Sequence, residues 1–274
     1  MLTSIQKNVA LKRLAGSAVT ALISRERKHS SLPVSSWAPY LICNSKVMYK
    51  GRNSYSAPRP YRVSVEGNIG SGKSTFLSYF QRFAAVETYL EPLDTWRDVQ
   101  GHNVLDLLYC DLQKWNLTFQ HMVQLSRVNI QTSDSKKRVQ IFERCVQNNR
   151  FCFGEMAYKE GLLSGVEYAI FDKWYSWISN NTDIGLDLIV YLRTNPNTVY
   201  QRLLQRSRKE ELSVSLEYLQ RVHEAHDNWL LHGTPAKAPA PVLVLDANSN
   251  LDALYKQYEH NQEVILGRRH TLSN

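Results

Sequence analysis

Residues Gly67-Asn68-Ile69-Gly70-Ser71-Gly72-Lys73-Ser74 fit the pattern G-x-x-x-x-G-K-[ST] and separate two segments of different periodicity. Before them, Tyr61-Arg62-Val63-Ser64-Val65-Glu66 alternates polar and apolar residues as a strand does. After them, Thr75-Phe76-Leu77-Ser78-Tyr79-Phe80 carries apolar residues at helical spacing. A glycine-rich turn between a strand and a helix lets successive backbone N–H groups face inward on phosphate oxygens, at the positive end of the helix. Lys73 then reaches the terminal phosphates, and the Ser74 hydroxyl is a ligand for Mg²⁺. The stretch from Gly67 to Thr75 is therefore expected to hold a nucleoside triphosphate, ATP in the first instance.

With 274 residues and 43% hydrophobic content, the chain has room for one large α/β domain and an extension. Its net charge of +8 suggests a nucleic-acid partner until its distribution is examined. Residues 1–60 hold ten of the 33 Lys and Arg but only one of the 25 Asp and Glu, Glu26. The remainder carries 23 basic against 24 acidic residues, so the basicity is local and no nucleic-acid partner is expected. This leader is Ser-rich, poor in acids and intersperses Leu2, Ile5, Val9 and Leu11 with Lys7, Lys12 and Arg13, the composition of a mitochondrial transit peptide. A basic tail on a cytoplasmic or nuclear protein is the alternative. Pro33, Pro58 and Pro60 mark the stretch that follows as linker, giving a leader over 1–60 and a phosphate-loop domain over 61–274. No run approaches the roughly 20 apolar residues of a membrane span, so no membrane partner is expected. The four cysteines, Cys43, Cys110, Cys145 and Cys152, show no metal-ligand spacing.

Strand-like runs recur at 61–66, 86–90, 139–142, 186–192 and 242–245, separated by helical periodicity at 74–83, 104–115, 119–132, 146–159, 166–179, 197–208, 215–231 and 250–266. The alternation predicts an α/β fold, a five-stranded parallel sheet with helices on both faces. In such sheets ligands lie beyond the carboxyl ends of the strands, which makes the polar residues there candidates as a group. Glu91 follows the second strand and can take a proton from an acceptor hydroxyl. Glu143 and Arg144 end the third, where a carboxylate can hold Mg²⁺, a surface ion pair being the alternative. Arg202, Arg206 and Arg208 follow the fourth, and the first two share a helix face that can close over phosphates. A solvated charged face is the ordinary reading of such a run.

Taken together, Val65-Glu66 with the glycine loop, Leu90-Glu91-Pro92 with Trp96, Trp115 through Phe119-Gln120, Phe142-Glu143-Arg144, Asp187 to Thr194, Arg202 to Glu211, Glu217-Tyr218-Leu219 and Trp229-Leu230 resemble the deoxynucleoside kinase family. The similarity runs from about Arg62 to about Leu266. It implies a P-loop kinase fold, ATP and Mg²⁺ as cofactors, and transfer of the γ-phosphoryl group to a deoxynucleoside 5′-hydroxyl. It also implies a homodimer packed through helices, for which the segments 104–115 and 146–159 are the candidate surfaces. On this resemblance Glu91 is the general base and Arg144 orients the hydroxyl and Glu91. Tyr109 and Glu211 hold the sugar 3′-hydroxyl, Gln120 pairs with the nucleobase edge, and Trp96 and Phe153 sandwich the base. The arginines 202, 206 and 208 contact ATP phosphates. Each of the three aromatics fits a core position equally well.

Two positions depart from the family pattern. Cys145 stands where Ser usually follows Glu-Arg, and a thiol is the weaker donor. Arg127 stands where thymidine-accepting members tend to carry Met, and its expected partner, an Asp elsewhere, is Asn149 here. An Arg127–Asn149 hydrogen bond in place of an ion pair is the expectation; bulk there would crowd a thymine methyl and tilts specificity toward deoxycytidine or a purine deoxynucleoside. The stretch Leu188 to Pro196 and the leader resemble thymidine-accepting members instead, so the preferred base stays open. Other readings are a nucleoside monophosphate kinase and a nucleotide-binding subunit that has lost turnover. A GTPase switch finds no D-x-x-G or N-K-x-D element in a suitable place.

Overall fold

A computed structural model of the chain describes residues 59–207 and 214–268. These belong to the second of two units, Met1–Ala57 and Pro58–Asn274. The leader expectations, and those on Arg208 and Glu211, lie outside the described residues.

Five parallel strands make the sheet: β1 (Tyr61–Glu66), β2 (Val86–Tyr89), β3 (Val139–Glu143), β4 (Leu188–Arg193) and β5 (Val242–Asp246), in the order β2-β3-β1-β4-β5. Alternation along the central strands feeds two apolar layers. Val63 and Val65 of β1 and Leu188, Val190 and Leu192 of β4 face a core closed by Phe76, Phe80 and Tyr258. Ile189 and Tyr191 of β4 face the opposite core, with Phe142, Cys152 and Trp229. A strand buried on both faces reads as the continuous run Leu188-Ile189-Val190-Tyr191-Leu192, as parallel sheets require.

The helices are α1 (Lys73–Gln81), α2 (Leu93–Arg97), α3 (Val104–Cys110), α4 (Leu112–Gln131), α6 (Gly165–Asn181), α7 (Pro196–Arg206), α8 (Leu216–Leu230), α9 (Leu251–His260) and α10 (Gln262–Ile265). Between α4 and α6 lies α5, in three pieces: Val146–Asn148, a π-helical turn Asn149–Gly154, and Glu155–Lys159.

Four boundaries differ from the sequence expectation. The helix predicted over 104–115 breaks at Asp111, whose extended backbone (φ −153°) ends α3 while its carboxylate accepts from the Lys114 N–H to start α4. Beyond that break α4 runs unbroken to Gln131 and absorbs Asn116 and Thr118, residues of weak helix preference. The helix predicted over 250–266 divides at Asn261. α2 is a single turn, too short for periodicity to reveal.

β1 connects through α1 to one side of the sheet and β3 connects through α5 and α6 to the other. Their carboxyl ends lie side by side, with Val65 in register with Glu143. Neighbouring strands whose connections leave in opposite directions open a crevice between them, and the glycine loop and Arg144 flank it.

Candidate active site

The loop between β1 and α1 has the backbone its sequence predicts. Gly67 takes φ +143°, and a Cβ there would lie 2.7 Å from the Leu192 carbonyl oxygen. Gly70 takes φ +77°, and its Cβ would lie 2.5 Å from Leu203 Cδ1, so neither position admits a side chain. Lys73 opens α1 behind the N-cap Gly72 and is buried; its Nζ donates to the carbonyls of Asn68 (2.8 Å) and Gly67 (3.4 Å). Burial, seconded by Arg144, lowers its pKa to about 8 against the pull of Glu143, Glu91 and Glu66. Asn68 Nδ2 donates to the Leu219 carbonyl and its Oδ1 accepts from the Ile69 N–H, so the loop is pinned to α8 and held in its turn.

The Ser74 hydroxyl donates to Glu143 Oε2 (3.1 Å), and Glu143 Oε1 lies 3.9 Å from Lys73 Nζ. Around this group a cleft of ≈ 360 Å³ is lined by Gly70 to Thr75, Glu143, Arg202, Arg206, Ser249 and Asn250 among others. Arg202 and Arg206 thus do face one space, although Arg202 is tethered by a bond from its NH2 to the Ala247 carbonyl (2.9 Å).

Glu91 lies just beyond β2 and is gripped by two arginines. Arg144 NH1 stands 2.8 Å from each carboxylate oxygen, and Arg127 NH2 is 2.6 Å from Oε1. Burial on its own would raise the Glu91 pKa, but Arg144, Arg127 and Lys73 overcome it and hold the carboxyl at about 2. The Arg144 guanidinium also donates from NH2 to the Gly67 carbonyl (3.1 Å), bridging the crevice, and stacks 5.1 Å from the Phe153 ring centre. Its backbone is left-handed (φ +63°), a conformation that costs a non-glycine residue about 1–3 kcal/mol and clusters at functional sites.

The Arg127–Asn149 bond expected from sequence is not formed. Arg127 turns instead to Glu91, the Asn148 side chain (3.3 Å) and the Cys145 carbonyl (3.2 Å), because a carboxylate offers a buried guanidinium far more than an amide does. Asn149 Nδ2 donates to Gln120 Oε1 (2.6 Å), leaving Asn149 Oδ1 buried without a protein partner. Trp96 is buried against Leu105, Val123 and Phe119, with its Nε1 donating to Ser126 Oγ (3.0 Å). Phe153 is half-buried, and Tyr109 is exposed near the half-buried Tyr218.

Sequence reasoning gave no role to Glu66, Asn148 or His226. Glu66 is fully buried beneath the loop, its Oε1 accepting from Ser64 Oγ and the Cys145 N–H, and burial raises its pKa. A carboxylate at the end of a buried strand was the available signal.

A sequence profile described as Deoxynucleoside kinase matches residues 63–268. The chain belongs to the deoxynucleoside kinase family. It is 42% identical over 204 residues to mitochondrial thymidine kinase 2 of Homo sapiens, covering 74% of this chain and 77% of that protein. To deoxycytidine kinase of Homo sapiens it is 32% identical over 233 residues, covering 74% and 90%, and to deoxycytidine kinase 2 of Gallus gallus 34% over 229, covering 72% and 86%. This deoxynucleoside kinase is thus an enzyme that phosphorylates deoxynucleosides at the expense of a nucleoside triphosphate. The P-loop kinase fold expected from sequence is the fold it has.

Proposed function

We propose that Glu91 is the carboxylate that receives the 5′-hydroxyl proton as the γ-phosphoryl group of ATP passes to the deoxynucleoside, giving the monophosphate. The observation that carries this reading is the Glu91–Arg144–Gly67 chain, which ties a half-buried, ionised carboxylate to the first carbonyl of the phosphate loop. Phosphoryl transfer through a loose transition state asks for an oriented acceptor and neutralised oxygens more than for a strong base, so a carboxyl held near 2 fits the task. Arg144 orients Glu91 and the hydroxyl. Main-chain N–H groups of residues 67–75 and Lys73 take the phosphates, which Arg202, Arg206 and Arg208 also contact.

Ser74 and Glu143 supply two hard oxygen donors next to that cleft, a set that suits Mg²⁺, which keeps waters and takes its other ligands from phosphates. Those two residues would hold the ion, which on binding neutralises phosphate charge. Tyr109 and Glu211 hold the 3′-hydroxyl and Trp96 and Phe153 flank the base. Gln120 and Asn149 read its edge, the first offering N–H donors and the second its unpartnered Oδ1. A donor beside an acceptor fits the hydrogen-bonding edge of a nucleobase, and a pyrimidine is the choice because the relatives are named for thymidine and deoxycytidine.

The enzyme works in mitochondria, as the acid-poor leader and the name of the 42%-identical relative support. It is a homodimer joined through α6, where Val166, Ile170, Trp174 and Trp177 form one stripe of exposed apolar side chains. The segments 104–115 and 146–159 bury Val104, Leu105 and Leu108 in one and Val146, Cys152 and Met156 in the other, while Tyr109, Leu112 and Tyr158 stay exposed.

The test is a panel of thymidine, deoxycytidine, deoxyadenosine, deoxyguanosine and the two pyrimidine monophosphates with ATP and Mg²⁺. Turnover of the pyrimidine deoxynucleosides is expected. Preference for purines would overturn the base-edge assignment, and Glu91→Gln with undiminished kcat would overturn the role of Glu91.

A further inference from the structure

His226, on α8, is completely buried; its ring stands edge-to-face with Phe153 (centroids 6.2 Å apart), and its hydrogen bonds reach Glu91 only through other side chains. Its Nδ1 lies 2.7 Å from the Val222 carbonyl oxygen, one helical turn back, with Cys152 Sγ 3.4 Å from the same nitrogen. A carbonyl oxygen only accepts, so Nδ1 carries the proton and donates it. Burial also lowers the pKa of the ring to about 3 and keeps it neutral, which leaves Nε2 an obligate acceptor.

Facing Nε2 at 3.1 Å is the amide of Asn148. Only its Nδ2 end can donate there, and this sets the other end, Oδ1, toward Arg127 NH1 at 3.3 Å. Arg127 NH2 then meets Glu91 Oε1. Each link has one permitted donor direction, from the Val222 carbonyl through His226 and Asn148 to the guanidinium. The direction of an amide that sequence leaves free is thereby fixed from a helix far along the chain.

We propose that His226 is a positioning residue: through Asn148 it holds the Arg127 guanidinium in the orientation that grips Glu91. This rests on Glu91 being the group that meets the acceptor hydroxyl. A reversed Asn148 amide would turn two N–H donors on Arg127, and the guanidinium would leave Glu91 to Arg144 alone. The carboxylate, then held from one side, loses the alignment that phosphoryl transfer draws on.

Two measurements on the full-length enzyme test this. Nitrogen-15 NMR of the imidazole should show the Nδ1–H tautomer between pH 6 and 9; the Nε2–H tautomer would overturn the proposal whatever Glu91 does. His226→Phe, which removes the acceptor, should lower kcat about tenfold with the KM for ATP unchanged, while His226→Gln, which offers an amide oxygen near the place of Nε2, should recover most of that loss. Equal kcat for the two variants at equal melting temperature would overturn it. Should the Phe variant fail to fold, Asn148→Leu interrupts the same chain and is expected to give the same fall in kcat, and wild-type kcat there would also overturn it. A Glu91→Gln enzyme that keeps full turnover removes the base assignment while leaving the tautomer result intact, so the two failures are distinct.

Discussion

Replacing Glu91 by Gln should cost this enzyme stability as well as turnover, and the size of the cost follows from the geometry around it. The substitution keeps the shape but leaves Arg127 and Arg144, both buried, facing a neutral amide. A carboxyl brought from its ordinary 4.5 to about 2 on folding has gained about 3 kcal/mol from its surroundings. Removing one partner from a buried ion pair costs a similar 3–5 kcal/mol, because the remaining charge keeps its desolvation penalty. For a domain of this size that should lower the melting temperature by roughly 6–12 °C. The pH dependence carries the sign. The folded pKa is depressed, so the contribution is complete above about pH 4.5 and disappears as pH falls through about 2. Urea unfolding of wild type and Glu91→Gln at a series of pH values should therefore show a constant gap from pH 7 to about pH 5 that narrows below. Equal stability at pH 7 would refute the reasoning and mean that desolvation consumes all that the two arginines supply.

Gly67→Ala places a methyl group against the Leu192 carbonyl at 2.7 Å, and should lower stability by about 2 kcal/mol and abolish the thermal shift that ATP produces in wild type. Ser74→Ala removes a hydroxyl bonded to Glu143 and should raise the Mg²⁺ concentration needed for half-maximal rate severalfold, with little change in the melting temperature, as metal titration of initial rates will read. Trp174→Glu with Trp177→Glu charges the exposed stripe of α6 and should convert a dimer to a monomer in sedimentation velocity; an unchanged sedimentation coefficient would exclude this face as the interface.

The sheet and the phosphate loop are legible in the residues alone. Strand alternation and the glycine spacing are local properties, and both are visible within six to eight residues of chain. The gathering of Glu91, Glu143 and Arg144 is legible as well, because each ends or follows a strand and the ends of parallel strands meet on one rim. Which of these groups face one another depends on the folded chain. Arg127 sits on α4 and donates to Glu91, the Asn148 side chain and the Cys145 carbonyl, and not to Asn149. The place of His226 was equally hidden, since it is separated from Asn148 by 78 residues and its role follows from which nitrogen can accept a hydrogen bond. Periodicity reports which side of a helix is covered, whereas the direction of a buried hydrogen bond depends on atoms that folding brings together from distant parts of the chain.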